Sequence, residues 1–550
     1  MIWRDHRFGS YAMKPSRLSP DLAASPQLSV ADIAEAQAAG FRSILCDRPD
    51  GEAADQPTFA HIAAEAARLG LESRYAPIAS VRLTDAEVAA FKTAFTELPK
   101  PILAYCGSGR RVTLAAQASR VIRGADAAAS ASPANRQAES HDIVIVGGGA
   151  GGVAVASSML ARISDLDIAI VEPADSHFYQ PGWTLVGAGV FTPEQTRRTM
   201  KSVMPASVKW IKDAVATFEP DVKQVTLASG AILSYRKLIV APGLKLDWAA
   251  VEGLADTLGS NGVTSNYRFD LAPYTSRLVD GLRGGKALFT QPPMPIKCAG
   301  APQKAMYLSC DAWRSRGVLK AINVEFLNAG AALFGVADYV PPLMEYVKAY
   351  GINLSFSHNL VKVDGPSKTA WFKRTGKDGE SEIIERKFDM LHAVPPQCAP
   401  DFIRSSPLAN PAGWVEVDQE TLQHKRYPDI YSLGDAMSAP NAKTAAAVRK
   451  QAPIVAENLL SDLGRIKIEA PAVYDGYGAC PLTVERGKIV MAEFGYGGKR
   501  IPTLPHWLID DLKPSWLAWR IKKDLLPLIY WDGMLKGREW LVKPNHKRAA

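Results

Sequence analysis

His141-Asp142-Ile143-Val144-Ile145-Val146-Gly147-Gly148-Gly149-Ala150-Gly151-Gly152 decides the fold. A β-branched run from Ile143 to Val146 enters a glycine turn, and residues 153–162 continue with helical character. Gly147, Gly149 and Gly152 form GxGxxG in the strand-turn-helix setting that a dinucleotide site requires. Gly147 permits the tight turn, Gly149 lets backbone approach a pyrophosphate, and Gly152 lets helix pack on strand. Ala150 and Gly151 then open the helix whose N-terminus faces the phosphates. A second strand over 167–171 ends at Glu172, whose carboxylate is suited to an adenosine ribose. The 19 residues 143–161 carry no charge and approach the length of a membrane span, but their five glycines read as strand, turn and helix.

Two later strands decide which dinucleotide. Leu238-Ile239-Val240-Ala241-Pro242-Gly243 is an apolar strand ending in a turn, and Ile430-Tyr431-Ser432-Leu433-Gly434-Asp435 is another ending in Gly-Asp. In this order they resemble the strands of the flavoprotein disulfide reductase superfamily. That resemblance implies FAD, with Gly434 and Asp435 at its ribityl and pyrophosphate part. A helix starting at Lys443-Thr444 would turn backbone N–H groups and a cation toward the flavin ring. The strand 323–327 leads into Asn328-Ala329-Gly330-Ala331-Ala332, which keeps one glycine of the fingerprint. A pyridine nucleotide is therefore not expected as electron donor.

The six cysteines form no CxxC pair or His-Cys cluster, which argues against a metal site. Cys298 follows Lys297 and precedes a helix with Pro302 in its first turn, features that favour thiolate over thiol. Cys480 sits in the turn-rich stretch Gly476-Tyr477-Gly478-Ala479-Cys480-Pro481. Nothing in the spacing shows that the two meet. Residues 177–189 (HFYQPGWTLVGAG), 297–304 (KCAGAPQK), 443–448 and Cys480-Pro481-Leu482 resemble, in order, the signatures of the mitochondrial-type sulfide:quinone oxidoreductases. The resemblance implies a Cys298/Cys480 redox pair that oxidises sulfide, with the sulfur resting on Cys298. It implies Glu172, Gln180, Val215, Asp435 and Lys443 at FAD, and quinone as electron acceptor. A thiol, sulfite or sulfide would take the sulfur. Cys310, on the same expected helix as Cys298, and Cys398 read as structural. An NADH:quinone dehydrogenase of the same architecture is the rival within redox chemistry.

At the front, a strand over 102–105 delivers Cys106-Gly107-Ser108-Gly109-Arg110-Arg111 to a helix. A cysteine in a glycine-rich loop at a helix start suits an oxyanion or a thiolate. Residues 8–118, including Arg48-Pro49-Asp50-Gly51-Glu52, resemble the phosphatase-like domain of beta-lactamase-hydrolase-like proteins. Four residues separate Cys106 from Arg111, the shorter loop of rhodaneses, so Cys106 is expected to handle persulfide and Arg111 an anionic acceptor. A cysteine phosphatase with a flavin module for regulation is the rival here.

The 550 residues thus divide into an α/β thiol domain (1–120), a small-residue linker (121–140), a flavin unit of two Rossmann-like domains (141–500) and a tail (501–550). A net charge of +8 names no partner, and no nucleic acid is expected. The tail holds Trp507, Trp516, Trp519, Trp531 and Trp540 among lysines and arginines, with Pro514 and Pro527 expected to break it into short helices. Its aromatic surface, with Lys513, Arg520, Lys522, Lys523, Lys536 and Arg538 toward anionic headgroups, suggests peripheral contact with a membrane. Lack of a secretory signal at Met1 to His6 gives the expectation of the cytoplasmic face.

Overall fold

The computed structural model describes residues 15–52, 56–79, 83–107, 109–119, 121, 138–376 and 378–546. Apart from its ends, the expected linker lies outside them. The chain divides into two units, Met1–Gln137 and Ala138–Ala550.

In the first unit a five-stranded sheet runs in the order Ser16–Ser19, Leu22–Ser25, Ile102–Tyr105, Ser43–Cys46, Glu72–Tyr75. Only the first pair is antiparallel. Successive side chains on a strand point to opposite faces. Ile102 and Ala104 therefore join Phe91 and Val112 in one apolar cluster, while Leu103 and Tyr105 join Ile33 and Ile62 in another. Helices Asp32–Ala38, Phe59–Arg68, Asp85–Glu97 and Arg110–Ala118 cover the two faces, as a parallel sheet requires. Cys46 is core, as expected. Glu72–Tyr75, with the edge sequence ESRY, gives no alternation from which to read a strand.

The second unit carries the glycine turn between Glu139–Val146 and the helix Ala150–Arg162. Ile168–Val171 and Ile232–Val240 flank that strand in parallel, and Ile430–Ser432 pairs with Ile232–Val240. The ends expected to meet a dinucleotide, after Val146, Val171, Val240 and Ser432, thus lie along one sheet edge. A second, wholly parallel sheet orders Val263–Thr264, Met390–His392, Gly285–Gln291, Ile322–Asn328 and Asn353–Phe356. After Asn328 the chain enters a loop, held by Asn328 bonds to Gly330 N and Ala332 O, rather than a phosphate-facing helix.

The tail departs from expectation. Helical structure is continuous from Trp516 to Lys536, with Pro527 inside it between two π-helical segments, Ile521–Leu525 and Ile529–Gly533. A proline removes one amide donor and crowds the preceding turn, and the wider π-turn accommodates both effects. Of the two prolines expected to break the tail, only Pro514 lies outside the helix. Trp519, Tyr530, Trp531 and Leu535 are buried against the protein, while Trp507, Trp516 and Leu528 remain exposed. Among the described residues no helix is long and apolar enough to cross a membrane.

The glycine turn is sterically closed on one side and open on the other. A Cβ on Gly152 would fall 1.8 Å from the Gly147 carbonyl oxygen, whereas one on Gly149 would meet nothing within 4 Å. Gly152→Ala should therefore cost about 3 kcal/mol, the upper end of overpacking, and Gly149→Ala close to nothing, in denaturant unfolding of the two variants.

Candidate active site

A cavity of about 510 Å³ extends from the open side of the glycine turn into the second unit. Gly149, Ala150 and Gly151 form one wall with Glu172; Gln180, Gly434, Asp435, Lys443 and Thr444 line it further along. Glu172 accepts from Gly148 N and Ala174 N, both at 2.8 Å. Thr444 caps the helix Ala445–Asp462 by accepting from Ala447 N. Burial raises the Asp435 carboxyl and lowers the Lys443 ammonium to about 8. Lys443 donates to the carbonyls of Asp435 and Met437. Val215, in the strand Val215–Glu219, is buried and does not line the cavity.

Trp183 Nε1, Thr184 Oγ1 and both side-chain polar atoms of Asn266 are buried on this cavity without a hydrogen-bond partner. Buried polar groups are rarely left unpaired. Together with the open glycine, they fit a ligand that is polar along one flank and carries a pyrophosphate.

Two thiols close the far end. The helix Ala301–Ser315 starts after Cys298, so Cys298 is not on the helix that carries Cys310; it precedes that helix in a left-handed conformation (φ 50°). Cys310 is fully buried, and burial pushes its thiol upward. Cys298 N donates to Lys443 O, and Tyr267 Oη donates to the carbonyls of Lys297 and Cys298. Strained backbone of this kind persists where its surroundings hold it. Cys480 lies on the hairpin strand Gly478–Glu485. A Cβ at Gly300 would fall 2.3 Å from Cys480 Sγ, so that glycine is what lets the hairpin reach Cys298. The two thiols share a hydrogen bond.

Lys304, one helical turn into Ala301–Ser315, donates to Cys298 Sγ at 3.2 Å and Cys480 Sγ at 3.7 Å. The bond from Cys480, with Lys304 beside it, holds Cys298 well below the usual thiol range despite burial. Cys480, as the donor in that bond and buried, is raised. Lys522, expected to face headgroups, is instead 4% exposed, with burial and Lys304 lowering its ammonium to about 7. Lys304 lies in the quoted KCAGAPQK run, where sequence gave it no role. Nothing in the sequence links Lys522 to the thiols.

The tail is also tied to the glycine turn. Burial lowers His177 to about 4, so its ring is neutral. Nδ1 lies 3.2 Å from the Gly148 carbonyl, which can only accept, so Nδ1 carries the proton; Nε2 then accepts from Tyr530 Oη at 2.7 Å.

In the first unit, Cys106 is buried at the end of Ile102–Tyr105. Arg111, expected to be open to an anion, pairs in two bonds with Glu52, which also accepts from Arg48. Sequence reading gave Glu52 and Arg48 no role in the site.

A family model described as "Pyridine nucleotide-disulphide oxidoreductase" matches residues 141–279, and one described as "Beta-lactamase hydrolase-like protein, phosphatase-like domain" matches 16–121. Fold and site therefore define a flavin-dependent oxidoreductase of the pyridine nucleotide-disulphide class carrying a phosphatase-like unit. Mitochondrial sulfide:quinone oxidoreductase of Dictyostelium discoideum is 42% identical over 404 residues, covering 73% of this chain and 87% of that protein. The Mus musculus enzyme is 40% identical over 398 residues, covering 72% and 87%. The X-ray structure of the sulfide:quinone oxidoreductase of Aquifex aeolicus shares the fold, with a TM-score of 0.62 at 17% identity, over 75% of this chain and 98% of that one. The chain belongs to the sulfide:quinone oxidoreductase family, as the four ordered motifs indicated.

Replacing Lys304 by Met removes the cation beside Cys298. In the reduced protein at neutral pH, alkylation of Cys298 should slow by about tenfold, the effect of one pKa unit on the thiolate fraction. An unchanged rate would assign the thiolate to the Cys480 bond alone.

Proposed function

We propose that the chain oxidises sulfide and passes the electrons to a membrane quinone through bound FAD, with Cys298 and Cys480 as the reacting thiols. The observation that carries this reading is one buried ammonium bonded to both sulfurs at the end of the cavity that begins at the glycine turn. FAD, held by the glycine turn, Glu172, Asp435 and Lys443, would supply a two-electron relay between thiolate and quinone. Gln180 accepts from Lys297 Nζ at 2.6 Å on the same wall.

When the two cysteines are joined, neither sulfur pairs with Lys304, whose Nζ lies beside both. That Nζ is then the partner for an incoming hydrosulfide. Of the two sulfurs Cys298 is the one that lines the cavity, so it is the one to be released as a thiolate toward the flavin; hydrosulfide attacks Cys480, a sulfur-sulfur bond forms there, and the bond between Cys480 and Cys298 breaks. This proposal places the sulfur on Cys480, where the resemblance implies Cys298. A small nucleophile, a thiol, sulfite or sulfide, then removes the outer sulfur from Cys480. In the first unit, Cys106 handles sulfane sulfur beside the Arg111 guanidinium.

Quinone is lipid-soluble, and the cavity wall reaches the tail through Ile521, Leu525, Leu526 and Ile529. Exposed Trp516, Leu528 and Leu541, with exposed Lys513, Arg520 and Lys536, suit peripheral attachment at the cytoplasmic face of a membrane.

Cys298→Ser and Cys480→Ser should each reduce sulfide-dependent flavin bleaching below about one-hundredth of normal, with flavin still bound. Cys310→Ser should leave it near normal. Full activity in Cys480→Ser would end this reading. Because the tail contributes buried residues, membrane contact is better tested by Trp516→Glu with Leu528→Glu than by truncation. That variant should leave lipid vesicles and lose most quinone reduction while sulfide still bleaches the flavin; retention on vesicles would count against docking through this face.

A further inference from the structure

Beside Cys106 the first unit holds an anion-binding arrangement that already contains an anion. Arg48 Nε donates to Glu52 Oε2 at 2.9 Å; Arg111 donates from Nη1 to Oε1 at 2.5 Å and from Nη2 to Oε2 at 2.7 Å. Both arginine side chains are largely covered, at 13% and 11% exposure, and Glu52 is the more open partner at 29%. A Cβ on Gly107, next to Cys106, would lie 3.6 Å from Arg111 Nη2 and 3.7 Å from Arg48 Nε. Both cations therefore stand over the backbone that follows the thiol. The Glu52 carboxylate, and after it the Cys106 sulfur, raise the Arg111 guanidinium.

Asp47 is an independent observation. It ends the strand next to the one that delivers Cys106, and its amide donates to the Tyr105 carbonyl. The side chain is fully buried, and neither carboxyl oxygen has a hydrogen-bond partner. Burial, and next the Cys106 sulfur, push this carboxyl well above the usual range. Buried polar groups are rarely left unpaired.

Two guanidiniums facing one carboxylate leave a positive charge over, and their forked pairing is the geometry by which arginine holds an oxyanion. We propose that Arg48 and Arg111 form the oxyanion seat of Cys106, that Glu52 fills this seat in the free protein, and that thiosulfate displaces it. Thiosulfate is a dianion and so neutralises both cations, which Glu52 does not. The proposal rests on the reading of Cys106 as a sulfur-accepting thiol. In the step it implies, the Cys106 thiolate attacks the outer sulfur of thiosulfate. A sulfur-sulfur bond to Cys106 forms, the one in thiosulfate breaks, and its electron pair leaves with sulfite. No external oxidant or reductant is consumed. Sulfite that takes sulfur from Cys480 becomes thiosulfate, so the product of one unit is a substrate for the other.

The test uses the full-length protein with Cys106→Ser to prevent turnover, titrated calorimetrically with thiosulfate, sulfite and inorganic phosphate. Glu52→Gln should bind thiosulfate at least about tenfold more tightly than the parent, since a competing charge is gone, and Glu52→Asp should fall between them. Arg48→Gln should cancel the gain, and phosphate should bind less tightly than thiosulfate. Circular dichroism checks the fold of each variant. Separately, mass spectrometry of the Cys106 peptide after thiosulfate treatment should show one added sulfur. Persulfide on Cys106 with the same thiosulfate affinity in all Glu52 variants would overturn the seat and leave the sulfur reading standing. Tighter binding in Glu52→Gln without persulfide, or a preference for phosphate with hydrolysis of an aryl phosphate, would keep the seat but overturn thiosulfate as its ligand.

Discussion

A buried ammonium shared between two sulfurs is the constraint on which the second unit depends. An unpaired buried cation costs several kcal/mol, which an anion at contact distance offsets. Lys304 is 2% exposed, so its environment must contain negative charge, and the sulfurs of Cys298 and Cys480 are what it meets. Three pieces of chain are held to this geometry. The helix Ala301–Ser315 carries the lysine, the strand Gly478–Glu485 carries Cys480, and the left-handed backbone at Cys298 turns the other thiol toward both. In the proposed oxidised state neither sulfur is an anion, so the buried lysine lacks its partner, and a small anionic nucleophile would supply one.

The second cation ties this chemistry to the tail. Lys522 arrives from a π-helical segment, and a wider turn there allows a helix containing Pro527 to continue without a break. A few residues on, Tyr530 donates to His177, whose other ring nitrogen donates to the glycine turn. The tail thus lines the cavity near the thiols and is bonded to the glycine turn through His177. Displacement of the tail would alter both ends together.

Legibility in the sequence follows the range of the interactions. The glycine turn, the strands around it and the thiol domain's Ile102–Tyr105 were readable because they are local patterns of a few residues. The pairing of Cys298 with Cys480 came from resemblance alone, since loop closure over such a distance leaves no periodic mark. Lys522 was misread for a physical reason. A lysine among aromatic residues in the tail has the composition of a headgroup-facing surface, and only three-dimensional packing shows that it is buried near Lys304 and the thiols. The edge strand Glu72–Tyr75 was missed because polar side chains on a strand with solvent beside it carry no alternation. Arg48 and Glu52 were quoted only as part of a motif, because neither residue suggests a seat without Arg111 beside it.

The two units hold sulfur by opposite electrostatic means. Around Cys298 the cations are lysines with compact ammonium groups, deeply buried, and the sulfur itself is the counter-ion. Around Cys106 the cations are arginines whose forks are satisfied by a side-chain carboxylate, and the buried Asp47 carboxyl stands beside the thiol. The first arrangement makes the charge of the sulfur part of the structure, which suits a pair that changes oxidation state. In the second the arginines are paired with a carboxylate rather than with the sulfur, and one positive charge is left over for a ligand. Such a site need not alter its thiol to admit a ligand; it needs an anion that outcompetes one carboxylate. Discrimination would then rest on charge and shape, and a dianion with planar or tetrahedral oxygens has the advantage over a monoanionic thiol or hydrosulfide.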